Sequence, residues 1–181
     1  MTLTHSLSNM AAYQDSTGGG YWELIREEVL AVDNDSEEAP GVWTRKKLNK
    51  LVGMDSLIRE TLRLHMTPAV GMLRKVIAKE GHTFSNGLHL KQGMLIGVPA
   101  LSIHRDQDGI KAGSNPTEFD GFRFSRPYQE LLANGSAEDI SATSSVGKFT
   151  STTMSDQFLT FGGGVRAWCV PPPPPSPPGY L

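Results

Sequence analysis

The chain's only cysteine, Cys169, follows a run of glycines, a combination suited to holding a flat ligand. Residues 158–169 are Phe-Leu-Thr-Phe-Gly-Gly-Gly-Val-Arg-Ala-Trp-Cys. Glycines allow the backbone to approach a ligand closely, and nearby amides favour the thiolate form of a cysteine. Arg166 could meet an anionic group of the ligand. The alternative is a flexible linker with an inert thiol, whereas a phosphate-binding loop is excluded because no Lys-Ser or Lys-Thr pair follows the glycines.

Three charged residues form a second candidate group. Glu60 and Arg63 are three residues apart on one face of a predicted helix, where they can pair. Taken alone, such a pair is typical of a solvated helix surface. Arg123 lies between two phenylalanines, so in a coil it would be partly desolvated and would need an anionic partner, for which Glu60 is a candidate. The alternative for Arg123 is an edge strand with the side chain in water.

Composition limits what the chain can be. It has 181 residues, a net charge of -2, 20% charged and 38% hydrophobic residues, which favours a folded domain over disorder. The balanced charge gives no reason to expect a nucleic-acid partner. No apolar run approaches the roughly 18 residues of a membrane span, and the amino terminus does not resemble a secretory signal. A single cysteine excludes an internal disulfide and a multi-cysteine zinc site.

Hydrophobic spacing predicts helices first and a small sheet afterwards. Helices are expected over 2–13 and 21–32, then from a Thr44 cap through Leu51, and from an Asp55 cap up to Pro68. The last helix has a broad apolar face formed by Leu57, Ile58, Thr61, Leu62 and Leu64. Short strands are expected within 70–77, 88–90 and 94–98, with a hairpin turn at 85–87. The fold class is therefore α+β and mainly helical.

Proline marks one domain boundary. Seven of the 12 prolines lie within 171–178. We therefore expect 170–181 to be a Pro-rich disordered tail and 1–169 to be one partial domain. A second stretch, 132–153, is rich in Ser, Thr and Gly and is expected to be a long loop.

In this order, the motifs resemble the cytochrome P450 haem-thiolate monooxygenases from about residue 2 to Cys169. Glu60-x-x-Arg63 is similar to the Glu-x-x-Arg of the family's K helix, and Arg123 to the arginine of its meander. The resemblance implies that these three charges form a buried network supporting the proximal haem loop. It also implies the C-terminal part of the P450 fold: the end of the distal helix, the K-helix region, a small sheet and the meander coil.

The resemblance further implies a haem b cofactor whose iron has Cys169 as axial ligand. Arg74 matches the basic residue that reaches a haem propionate, and His104, in Ile-His-Arg-Asp, could approach the haem edge. The remaining cofactor-binding candidates belong to the cysteine loop: Phe161, Gly164 and Arg166. Thr2 or Thr4 would be a remnant of the oxygen-handling helix.

The activity implied is oxidation of a small lipophilic substrate by O2, with electrons from an NADPH-dependent reductase. The amino-acid sequences of 83–88 and 119–122 resemble those of filamentous-fungal family members that act in secondary metabolism. Such relatives are anchored to the endoplasmic reticulum membrane when complete, but no anchor occurs in this chain and its own location is not indicated.

The sequence also departs from the family pattern. Cys169 comes eight residues after Phe161, where the family has seven, and Pro171–Pro175 cannot form the helix that follows the ligand. Residues 2–13 resemble only the later part of the family's long distal helix. We therefore expect a truncated chain with impaired activity. The alternatives are a non-catalytic fragment without haem, or an interaction protein whose Pro-rich tail docks in an SH3- or WW-like groove.

Overall fold

The computed structural model describes residues 1–14, 20–35, 39–106, 115–126, 150–163 and 167. Within these ranges the chain forms helices followed by short strands, which confirms the α+β prediction. The helices are α1 (Thr2–Ala12), α2 (Tyr21–Asn34), α3 (Arg45–Leu48), α4 (Val52–Leu64) and α5 (Ala100–His104). The strands are β1 (Gly71–Lys75), β2 (His82–Thr83), β3 (His89–Leu90) and β4 (Leu95–Val98). The predicted tail at 170–181 and most of the predicted loop at 132–153 lie outside the described residues.

The start of α4 differs from the sequence prediction. The helix begins at Val52, so Asp55 lies in its first turn and the predicted Asp55 cap is wrong. Glu28 of α2 caps the helix instead, accepting hydrogen bonds from the amides of Gly53 (2.6 Å) and Met54 (2.9 Å). A carboxylate at a helix amino terminus satisfies free amides and complements the helix dipole. Glu28 thereby ties α2 to α4.

The strands form two small antiparallel sheets. β1 pairs with β4, placing Arg74 opposite Ile96 and Lys75 opposite Leu95. A bulge interrupts this pairing between Gly71 and Arg74. β2 pairs with β3, and the predicted turn connects them, closed by a bond from the Phe84 amide to the Leu88 carbonyl (2.9 Å).

An aromatic cluster joins the helices to the coil at 115–126. The core combines Met10, Tyr21, Leu57, Leu64 and Phe119, with Ile25 and Phe122 packed against it. The Tyr21 hydroxyl accepts the Gly121 amide at 3.0 Å, and a Cβ on Gly121 would lie only 2.6 Å from the Tyr21 ring. Glycine at 121 is therefore what allows the coil to approach α2.

An apolar groove of about 610 Å³ lies between α1, α2 and α4. Its walls include Leu3, Leu7, Trp22, Val29 and Ile58. None of the helices in the described ranges is long and apolar enough to cross a membrane.

Candidate functional site

Glu60 and Arg63 form a buried ion pair on α4. Arg63 Nε donates to Glu60 Oε2 at 2.7 Å, and Arg63 Nη2 donates to Oε1 at 2.8 Å. Glu60 is 0% exposed and Arg63 1% exposed. The interpretation as a solvated surface pair is therefore wrong. The bidentate geometry is the one in which a guanidinium and a carboxylate compensate their lost hydration best.

Arg123 completes this charged cluster from the coil at 115–126. Its Nε lies 3.1 Å from Glu60 Oε1, and its side chain is buried, which confirms the predicted pairing and excludes the edge-strand alternative. Glu60 Oε1 also accepts the Asp120 amide at 3.1 Å. One carboxylate thus fixes both a side chain and a backbone group of the coil.

The cluster holds two guanidinium groups and one carboxylate, and backbone carbonyls accept hydrogen bonds from both guanidinium groups. Arg63 Nη1 donates to the carbonyls of His104 (2.8 Å) and Pro116 (2.6 Å). Arg123 Nη2 donates to the carbonyls of Asn115 and Glu118, both at 3.0 Å. Because buried charges without such partners are costly, these bonds fix the path of the coil around α4.

Ser56 and Tyr21 support the same coil, although the sequence analysis did not single them out as site residues. Ser56 Oγ accepts the amides of Phe124 and Ser125, both at 3.1 Å. Ser56 lies four residues before Glu60 and therefore on the same helix face. That spacing is the only signal in the sequence that could have indicated its role.

A second polar contact joins α4 to the turn at 150–153. Arg59 Nη1 donates to the carbonyls of Thr150 and Thr153, the second at 2.7 Å. The guanidinium also lies over the ring of Phe158, 3.9 Å from its centroid. Burial lowers the pKa of Arg59 to about 10, which leaves it charged at neutral pH. Asp55 and Arg59 are one helical turn apart, so α4 presents both to this turn.

His104 links the charged cluster to the segment that leads towards Cys169. Its ring is buried, with Nδ1 3.2 Å from the Arg63 carbonyl and Nε2 accepting the Leu159 amide at 2.6 Å. Burial, with the charges of Arg63 and Arg59, lowers the pKa of His104 to about 4. In this arrangement neither nitrogen is available to a haem carboxylate, which favours a positioning role.

Arg74 lies on the exposed side of β1. Its Nη1 contacts only the carbonyl of Leu73 (2.9 Å), and among the described residues it forms no ion pair. The residue opposite Arg74 on β4 is Ile96, which is half-buried. A free guanidinium beside an apolar side chain fits a flat apolar group that carries carboxylates, as haem does.

The start of the glycine loop lies close to β1. Gly162 has a φ of 86°, a conformation that favours glycine. A Cβ on Gly163 would lie 3.4 Å from Met72 Sδ, so the loop passes close to the strand that carries Arg74. Phe161 is half-buried at this point. The start of the predicted ligand loop, at Gly162 and Gly163, therefore lies beside the predicted propionate-binding strand.

The other predicted site residues are not all within the described ranges. Gly164, Arg166 and Cys169 lie outside them. Thr2 and Thr4 are exposed in the first turn of α1. No group of three or more His, Cys, Asp or Glu side chains that could hold a metal ion occurs in the part of the chain that the structure describes.

Known proteins match nearly the whole chain. The Cytochrome P450 family profile matches residues 1–170. Cytochrome P450 monooxygenase sirB of Leptosphaeria maculans is 33% identical over 165 residues, 91% of this chain and 27% of that protein. Cytochrome P450 monooxygenase nodZ of Hypoxylon pulicicidum is 34% identical over 149 residues, 82% of this chain and 28% of that protein.

A third fungal relative, cytochrome P450 monooxygenase avaL of Aspergillus versicolor, is 29% identical over 182 residues, 92% of this chain and 29% of that protein. The chain thus spans 27–29% of the length of the curated relatives it matches. Since the profile covers the helices, the strands and the buried Glu60 cluster, the resemblance inferred from the motifs is confirmed, and the chain belongs to the cytochrome P450 family.

Proposed function

We propose that this chain carries the proximal haem-binding part of a fungal monooxygenase of secondary metabolism. When bound, haem b would supply the oxygen-activating chemistry, by which one atom of O2 enters a small lipophilic substrate. Electrons would come from an NADPH-dependent reductase. The observation that carries the proposal is the buried cluster of Glu60, Arg63 and Arg123, which fixes the coil beside the segment leading to Cys169.

Different residues of the chain would have different roles in binding haem. Cys169 would bind the iron as a thiolate, and Arg74 would neutralise a propionate. Phe161, Gly164 and Arg166 would shape the loop around the sulfur. Glu60, Arg63 and Arg123 would support that loop without touching the haem. Thr2 or Thr4 would be what this chain retains of the oxygen-handling helix.

We further propose that residues 1–181 by themselves have impaired turnover. The relatives they match are much longer, since the chain spans only 27–29% of their length. A dry distal pocket and controlled proton delivery must be built by the protein. The proximal supports described above supply neither, so haem binding and catalysis are separate questions for this chain.

Absorption spectroscopy tests the proposal. The expressed chain is mixed with haem, reduced and exposed to carbon monoxide, beside a Cys169→Ala variant. A strongly red-shifted Soret band that is lost in the variant is expected, because only a thiolate ligand produces it. A spectrum like that of free haem in both proteins would overturn haem binding and favour a non-catalytic fragment.

A further inference from the structure

The His104 imidazole has two backbone partners that determine its tautomer. A carbonyl only accepts a hydrogen bond and an amide only donates one. Nδ1 therefore carries the proton and donates to the Arg63 carbonyl, while Nε2 is unprotonated and accepts the Leu159 amide. The ring is 0% exposed, so water cannot replace either partner.

Arg63 and His104 bind each other reciprocally. The Arg63 guanidinium donates to the His104 carbonyl at 2.8 Å, and the His104 ring faces the Arg63 carbonyl at 3.2 Å. The end of α4 and the end of α5 are therefore joined at two points. Since Arg63 is also bound to Glu60, the position of the imidazole is tied to the buried charged cluster.

Stacking fixes the plane of the same ring. Phe158 lies parallel to His104, with ring centroids 5.2 Å apart and an interplanar angle of 6°. The Arg59 guanidinium also lies over the Phe158 ring and is itself held by the carbonyls of Thr150 and Thr153. The imidazole thus has a fixed location, a fixed plane and a fixed tautomer, and its acceptor nitrogen points at a single amide.

We infer that His104 is a positioning residue for the ligand loop: its Nε2 holds the Leu159 amide and sets where the segment towards Cys169 begins. The charged cluster binds the coil at 115–126. His104 binds the next segment, residues 158–163, through the Leu159 amide. Only the last step, from Leu159 to a correctly placed Cys169 thiolate, rests on the proposed function.

Two substitutions separate the two nitrogens of the ring. In His104→Asn, the short amide can donate to the Arg63 carbonyl as Nδ1 does, but it cannot reach Leu159. In His104→Gln, the longer amide places an oxygen near the position of Nε2 and can still accept the Leu159 amide. The two variants therefore remove similar amounts of ring packing and differ in whether residue 104 can accept the hydrogen bond of the Leu159 amide.

The primary measurement is amide hydrogen exchange in the chain without haem. We expect Leu159 to exchange at least tenfold faster in His104→Asn than in His104→Gln, because its acceptor is lost. The Val76 amide, which is bound to the Met94 carbonyl at 2.9 Å and not to His104 or Leu159, is the internal control and should not change. Equal Leu159 exchange in wild type and His104→Asn would overturn the inference.

A second measurement needs no variant. In the uniformly 15N-labelled wild type, a scalar coupling across the hydrogen bond should connect the Leu159 nitrogen with His104 Nε2, and its absence would overturn the inference even if His104→Asn fails to fold.

With haem and carbon monoxide, the red-shifted band should fall at least twofold in His104→Asn and be retained in His104→Gln. If the wild type shows no such band, the proposed function fails, while the exchange and coupling data still decide the role of His104.

Discussion

Ser151 donates two hydrogen bonds to the carboxylate of Asp55, one from its backbone amide (2.8 Å) and one from its hydroxyl (2.6 Å), across 96 residues of sequence. Together with Arg59, which holds the carbonyls of Thr150 and Thr153, this contact docks the turn at 150–153 on α4. The residues that begin the approach to Cys169 are therefore fixed by one side chain in the first turn of α4 and one in its middle.

Replacing Asp55 by Ala should lower the free energy of unfolding by about 1–3 kcal/mol, because both donors of Ser151 lose their partner. Urea unfolding of Asp55→Ala, Ser151→Ala and the double variant measures the coupling between the two positions. We expect a coupling energy of about 1 kcal/mol or more, since the residues are in direct contact. Additive effects of the two single changes would show that the contact contributes nothing.

Replacing Glu60 by Gln should destabilise the chain by about 3–5 kcal/mol, because two buried guanidinium groups would lose the carboxylate that they share. The matched control is Asp35→Asn, which removes the exposed pair between Asp35 and Lys50. That change should cost less than about 1 kcal/mol, as is usual for surface pairs. Equal losses in the two variants, measured by urea unfolding, would contradict a buried role for Glu60.

The stability of the chain should fall as the pH is lowered from about 6.5 to about 4. Unfolded histidine binds a proton near pH 6.5, whereas burial lowers the pKa of folded His104 to about 4, so acid favours the unfolded state in this window. The loss from this group should reach about 3 kcal/mol near pH 4 and grow no further below it.

Comparison with His104→Gln isolates this effect from the other titrating groups. The pKa of His65 is also lowered, by burial and by the neighbouring His5 and Arg105, so it contributes in the same direction in both proteins. Urea unfolding at pH 7, 5.5 and 4 should show a weaker pH dependence in the variant. Parallel curves for the two proteins would mean that His104 does not titrate as described.

Arg74→Gln should weaken haem binding about tenfold, the value of one charge-assisted hydrogen bond near 1.4 kcal/mol. Lys75→Gln is the control, because successive strand residues point to opposite faces and Lys75 has the same charge. Titration of each variant with haem, followed at the Soret band, gives the affinities. A comparable loss in both variants would indicate a general effect of charge instead of a propionate contact.

The sequence was most informative where contacts are local. The three-residue spacing of Glu60 and Arg63 predicted their pairing, and the phenylalanines flanking Arg123 indicated its burial. The burial of α4 was harder to predict. Ile58 and Leu62, expected on its apolar face, are only half-buried, whereas Ser56 and Arg59 are buried. The polar residues are more buried because their partners lie on the coil and the turn that cover this face.

The remaining contacts could not be predicted because residue type does not identify a partner distant in sequence. Glu28 caps α4 from another helix, and its carboxylate resembles that of any exposed helical glutamate. Tyr21 accepts the Gly121 amide across 100 residues. The motif around His104 led us to expect it near the haem edge, which stays a prediction, but it gave no indication that the ring nitrogens bind the backbone of Arg63 and Leu159.

The separation between α4 and its last partners also has a consequence for synthesis on the ribosome. Asp55 and Arg59 leave the exit tunnel more than 90 residues before the turn that satisfies them. At 5–20 residues per second, that interval lasts about 5–20 s, during which the helix cannot complete its burial. Contacts this distant in sequence also slow folding after release. The nascent chain therefore displays this polar face to chaperones until the turn at 150–153 has been made.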